Sequence, residues 1–174
     1  MAPQRPKGAG ALDKDIPALS PAPVPPRSTE LYAALDLGTN SCRMLIAQPK
    51  GSGFHVVDSF SKSVQLGAGL EKTGRLSRGS MTRTIQALRI CQQKLRRNKV
   101  RRMRLVATEA CRRAANGAEF MQRIQRETGL KLDIIKPEEE AQLAVISCAP
   151  LVNRKTHNLL VVDKLDLAHL VQYT

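Results

Sequence analysis

The feature that most constrains this chain is an apolar run that stops at a polar turn: Ala33-Ala34-Leu35-Asp36-Leu37, then Gly38-Thr39-Asn40-Ser41. The run predicts a strand that delivers its C-terminal end into a tight loop. A glycine there lets backbone N–H groups approach an anion with no Cβ in the way, and Thr39, Asn40 and Ser41 add side-chain donors. Asp36, at the end of the strand, could hold a divalent cation directly or through water. An ordinary polar hairpin with an Asx-type turn uses the same residue types, so the motif alone leaves both readings open.

The pattern around it narrows the fold. Leu31–Leu37, Cys42–Gln48 and Phe54–Phe60 read as strands, with Pro49, Gly51, Ser52 and Gly53 marking the turn between the last two. The period then lengthens. Met81, Ile85, Leu88, Gln92 and Leu95 step by three and four, predicting a helix capped by Ser77 or Ser80. Arg104–Ala107 is a short strand. Asn116 with Glu119 predicts a capping pair for a helix ending at Gly129. Leu132–Ile135 is another strand. Pro137 suits the first position of a helix whose first turn holds Glu138, Glu139 and Glu140, and Leu159–Asp163 is a last apolar strand. The order βββαβαβαβ is an α/β arrangement: a mixed sheet that begins with a three-stranded antiparallel meander and is flanked by helices. No GxGxxG dinucleotide signature is present.

Seven of the ten prolines fall within residues 1–30, which predicts a disordered, Pro-rich basic arm. Residues 31–158 form the expected domain, and 159–174 a first strand of a further domain plus an atypical tail. The net charge of +13 suits polyanionic partners. The charge is clustered: no acidic residue occurs from Lys72 to Thr108, while Arg89, Lys94, Arg96, Arg97, Lys99, Arg101, Arg102 and Arg104 crowd one segment. A solvated helix face explains such a run, and nonspecific polyanion binding is the competing reading. With no Trp, two Tyr and three Phe, base stacking of the kind single-strand binders use is poorly supported. Cys42, Cys91, Cys111 and Cys148 lack metal-ligand spacing and read as buried free thiols, which suits a reducing, cytoplasmic compartment. No apolar run is long enough to span a bilayer.

Three further blocks carry candidate chemistry. Ala107-Thr108-Glu109-Ala110-Cys111-Arg112-Arg113 sends a strand into small residues and two guanidiniums, a placement suited to phosphate oxygens and equally to plain surface arginines. Glu138-Glu139-Glu140-Ala141 puts carboxylates in a helix's first turn, where the dipole alone accounts for most of them and one could serve as general base. Spacing does not choose among the three. Leu159-Leu160-Val161-Val162-Asp163 repeats the strand-then-aspartate logic, but Lys164-Leu165-Asp166-Leu167 follows it without a glycine.

Together with Val64-Gln65-Leu66-Gly67-Ala68-Gly69-Leu70, these blocks resemble the exopolyphosphatase and guanosine pentaphosphate phosphohydrolase family, Ppx/GppA, over roughly residues 31–163. The resemblance implies the first domain of the actin-like ATPase/sugar-kinase (ribonuclease H-like) superfold. It also implies Mg²⁺-dependent release of terminal phosphate from polyphosphate or guanosine pentaphosphate, and a possible homodimer. Carried over by position, Gly38, Thr39, Asn40, Ser41 and Arg112 bind phosphate, Glu140 is catalytic, and Asp36 and Asp163 are associated with the metal. The family continues its last strand into a second, glycine-rich phosphate loop and a second domain. Lys164–Thr174 departs from that pattern, so the expectation is a truncated chain that is weak or inactive alone. The alternatives are a noncatalytic basic module for polyphosphate or nucleic acid, and a kinase relative, for which no second-domain nucleotide pocket is present.

Overall fold

The computed structural model describes residues 30–51, 53–148, 158–162 and 168–172. The first three strands, β1 (Tyr32–Leu37), β2 (Ser41–Lys50) and β3 (Gly53–Ser63), form the expected antiparallel meander. A short helix α1 (Leu70–Thr73) precedes the long α2 (Arg78–Arg97), and β4 (Arg102–Ala107) follows. The five-residue α3 (Glu109–Arg113), α4 (Gly117–Thr128), β5 (Asp133–Ile134) and α5 (Pro137–Cys148) come next. The sheet order is β3-β2-β1-β4-β5, with β4 parallel to both β1 and β5. A separate antiparallel pair, β6 (Asn158–Val162) and β7 (Ala168–Gln172), ends the described chain.

Alternation within the strands decides which face is covered. Ala33, Leu35 and Leu37 of β1 and Cys42, Met44 and Ile46 of β2 point into the core, while Ala34, Asp36 and Arg43 point out. Against the inner face lie Ile85, Ala87, Leu88, Cys91 and Leu95 of α2, with Phe120 and Ile124 of α4 completing a mostly aliphatic core. Two buried hydroxyls on α2 need partners and find them locally: Thr84 Oγ1 donates to the Ser80 carbonyl at 2.9 Å, and Ser80 Oγ to the Ser77 carbonyl at 3.0 Å. Ser77 caps α2 by accepting from Ser80 N at 3.1 Å, one of the two caps expected. Cys42, Cys91 and Cys111 are buried free thiols; Cys148 lies where side chains are not described. A hydrogen bond with Cys91, reinforced by burial, pushes the Cys42 thiol up, and burial pushes Cys111 up to about 12. Cys111 is therefore a protonated packing residue at neutral pH, not a nucleophile.

One expectation is corrected. Asn116 precedes α4, yet its side chain makes no capping hydrogen bond there. Instead it reaches back to Leu76: Oδ1 accepts from Leu76 N at 2.8 Å, and Nδ2 donates to Leu76 O at 3.1 Å. This amide clips the segment leading into α2 onto the α3–α4 corner at a buried position. The sequence pattern of a cap was right about location, but tertiary pairing of a buried backbone segment outcompeted the local bond. Asn116→Ala strands both Leu76 groups away from water and should cost about 2–4 kcal/mol. Urea denaturation would read that loss as a lower midpoint. Asn116→Asp keeps the acceptor and loses the donor, so it should fall between the two.

Candidate functional site

Three connections leave the C-terminal ends of the parallel strands on one edge of the sheet: Gly38–Asn40 after β1, Thr108 with α3 after β4, and Ile135 leading into α5 after β5. Backbone bonds hold these exits side by side. Thr108 N donates to Leu37 O at 3.1 Å, and Ile135 N to Ala107 O at 3.1 Å. This is the edge at which open α/β sheets bind ligands, because loops diverge there and leave a crevice.

The first loop is a tight one. Gly38 N donates to Ser41 O at 2.9 Å, so the turn closes across Thr39 and Asn40. Among the described residues, positive φ outside glycine occurs at Gln65 and Lys99 alone, so Thr39 and Asn40 both use right-handed or extended backbone. The loop's carbonyls are committed: Asn40 O accepts from Val64 N at 2.9 Å and Gln65 N at 3.0 Å, and Thr39 O accepts from Gly67 N at 2.9 Å. Among the described hydrogen bonds, none uses the Thr39 or Asn40 N–H as donor. The stretch 64–67 thus ties down the loop through its carbonyls and leaves the Thr39 and Asn40 amide donors uncommitted, as an anion site needs. Gly38 N and the Ser41 carbonyl are internal to the turn. Ser41 itself starts β2.

The second and third connections meet through Arg112. Its Nη1 donates to Ile135 O at 2.7 Å and to Glu140 Oε2 at 3.3 Å, with Nη2 to the same carboxylate oxygen at 3.4 Å. Both side chains are about one-quarter exposed, at 26% and 24%. The three glutamates of α5 are thereby told apart. Glu140 faces Arg112, Glu139 pairs with Arg104 at 2.7 Å on a more open surface, and Glu138 is exposed. Asp36 lies one residue before the end of β1, on the outer face of the sheet. Asp163 lies outside the described residues. Beside the first loop, Thr39, Gly67, Gly69, Lys72, Glu109 and Arg113 help line a depression of about 260 Å³. Sequence reasoning missed Glu109 and Gly67 as neighbours of Thr39, since nothing in their spacing signals contact across such separations.

The basic segment is less continuous than its sequence suggests. Arg89 pairs with Glu127 at 3.0 Å, Lys94 with Asp58 at 2.6 Å, Arg102 with Glu30 at 2.9 Å, and Arg104 with Asp133 at 2.9 Å. The Lys94 hydrogen bond holds the Asp58 carboxyl below its usual range, and Arg123 does the same for Glu127. The acids that meet these four residues come from β3, α4, β5, α5 and the approach to β1, not from the run itself. Among the described residues no helix is long and apolar enough to cross a membrane.

The family model of the Ppx/GppA phosphatases matches residues 45–164, more than half of the chain. The chain belongs to the Ppx/GppA phosphatase family. The solved structure of the Aquifex aeolicus Ppx/GppA family member is 35% identical, with a TM-score of 0.67 over 74% of this chain and 42% of that one. The type II variant of the Aquifex aeolicus Ppx/GppA phosphatase is 31% identical, with a TM-score of 0.69 over 82% and 52% of the two chains. An exopolyphosphatase from Cytophaga hutchinsonii shares the fold at a TM-score of 0.71 and 24% identity. The chain therefore spans about half the length of these Ppx/GppA relatives. The mixed sheet with flanking helices is the fold expected from the resemblance, and membership makes this a chain of a phosphate-releasing hydrolase family.

Proposed function

We propose that this chain supplies the first-domain half of a phosphoanhydride hydrolase that releases terminal phosphate from polyphosphate or guanosine pentaphosphate. The observation that carries the reading is the convergence on one sheet edge of the Thr39–Asn40 amide turn and the Arg112–Glu140 pair. Family membership supports the reaction class, and the names of the relatives point to polyphosphate as substrate.

In this reading the Thr39 and Asn40 N–H groups and the Arg112 guanidinium hold phosphate oxygens where negative charge develops during in-line displacement. Arg112 exchanges part of its contact with Glu140 for substrate, and the released Glu140 carboxylate orients a water and accepts its proton. Mg²⁺ is implied by the resemblance, with Asp36, an exposed carboxylate near the end of β1, as its described carboxylate. Among the described residues no three His, Cys, Asp or Glu side chains cluster, and Mg²⁺ characteristically uses one or two carboxylates and completes its shell with water and phosphate. Asp36, with Asp163 by resemblance, would hold it, and the ion would neutralise phosphate oxygens and the leaving group.

On its own the chain is expected to bind the substrate and turn it over weakly, because half of the relatives' length has no counterpart in it. Calorimetric titration of tripolyphosphate into the 174-residue chain should show binding that Arg112→Ala reduces about tenfold or more, the loss of a charge-assisted, bidentate-capable contact. Phosphate release with Mg²⁺ should stay near background. Robust release that disappears in Glu140→Gln would overturn the expectation of weak turnover. Competition of labelled polyphosphate by duplex DNA, read across salt concentrations, tests the lesser reading as a general polyanion module.

A further inference from the structure

Glu109 opens α3 opposite the Thr39 hydroxyl, and the proposed reaction gives it no task. Its Oε2 accepts from Thr39 Oγ1 at 3.5 Å, and its Oε1 accepts from Arg113 Nη1 at 2.8 Å. The other flank of Thr39 is closed by Gly67. Gly67 N donates to Thr39 O at 2.9 Å. A Cβ at Gly67 would overlap the Thr39 Cγ2 methyl and sit 3.6 Å from its Cβ, so the methyl occupies space that only glycine leaves open. Threonine chooses among three staggered χ1 wells. With the methyl seated over Gly67 and the hydroxyl turned to Glu109, one well satisfies both neighbours. The hydroxyl has a single proton, and the carboxylate accepts it. With the hydroxyl committed to Glu109, the donor Thr39 has left for a ligand is its amide N–H.

We propose that Glu109 is a positioning residue for the loop: it fixes the Thr39 rotamer, and with it the aim of the Thr39 and Asn40 amides, while Arg113 holds the carboxylate in place. This rests on the reading of residues 38–41 as a phosphate-binding loop. A carboxylate beside an anion site has an obvious competing effect, and the two differ in sign. By charge alone, deleting Glu109 tightens anion binding. By positioning, deleting it weakens binding.

Tripolyphosphate titrated into the 174-residue chain and its Glu109→Ala, Glu109→Gln and Glu71→Ala variants decides between them. The three-bond N–Cγ2 coupling of Thr39 is read by NMR on the same samples. Glu71 lines the same depression and serves as the charge-only control. Glu109→Ala should bind about fivefold more weakly, the scale of one lost hydrogen bond, and its Thr39 coupling should move toward the rotamer-averaged value. Glu109→Gln, with the same length and a hydrogen-bonding amide, should keep the coupling and stay within about twofold of the parent in affinity. Glu71→Ala should bind at least as tightly as the parent. Tighter binding by Glu109→Ala, or an unchanged coupling, overturns the proposal. A parent chain that does not bind tripolyphosphate overturns the phosphate-loop reading instead, and the Thr39 coupling in Glu109→Ala still decides whether Glu109 positions that side chain.

Discussion

Replacing Gly117 with alanine should lower the unfolding free energy by about 3 kcal/mol or more, the upper range for forcing atoms into a filled site. The reason is a backbone contact. A Cβ at Gly117 would overlap the Cys111 carbonyl oxygen and lie 3.0 Å from the carbonyl carbon. A side chain can swing away from an added methyl; a carbonyl buried in the α3–α4 corner moves only if a helix moves. Gly117 N also donates to Ala114 O at 2.9 Å, and Ala115 N to Gly74 O at 2.9 Å, so the corner is tied on both sides. The variant must give up this corner or push α3 outward. Since α3 carries Glu109 and Arg112, the same displacement should reach the candidate site. Thermal unfolding should show a midpoint roughly 10 °C lower for a domain of this size. Tripolyphosphate binding should weaken alongside it. A midpoint within about 2 °C of the parent would mean that the corner yields without cost.

Neither the contact at Gly117 nor the one at Gly67 could be read from sequence, and the reason is general. Periodicity reports which face of an element is buried, so α2 was legible from Ile85, Leu88 and Leu95, while apolar runs such as Leu31–Leu37 gave the meander and the bounding Asn116 and Gly129 gave α4. It does not report which backbone comes against which. The five-residue α3 was also missed, because one turn of helix carries no period. Asn116 was legible as special but not as the partner of Leu76, since a cap and a long-range clip call for the same residue type. The charge run shows the opposite failure. Its residues were obvious, but the acids that pair with four of them, Arg89, Lys94, Arg102 and Arg104, are supplied by distant segments. For the site, the ordered motifs located the family and, by resemblance, singled out Glu140, which spacing alone did not; that Arg112 touches this glutamate is visible only in the structure.

Gly38 separates a glycine kept for folding from one kept for a ligand. Gly117 is required by the fold itself, because its missing Cβ is where another backbone lies. Gly38 is not. Its φ lies outside the left-handed region, and a Cβ there would sit 3.6 Å from Ser41 O and 3.9 Å from Asp36 Oδ2, ordinary van der Waals distances. Alanine should therefore fold as well as glycine. Fewer unfolded conformations would even favour it by about 0.4–1 kcal/mol. If the turn is an ordinary hairpin, Gly38→Ala should leave every property of the chain close to the parent's. If the turn admits a phosphate against its backbone, the added methyl crowds the approach to the Thr39 and Asn40 amides. Affinity for tripolyphosphate should then fall about tenfold or more, equivalent to ~1.4 kcal/mol, with no loss of stability. Unfolding midpoint and calorimetric affinity measured on one preparation give the two readings opposite results. A stable Gly38→Ala protein that binds as the parent does would return the turn to a hairpin, whereas a stable one that has lost binding would mark the space above Gly38 as the place where the anion sits.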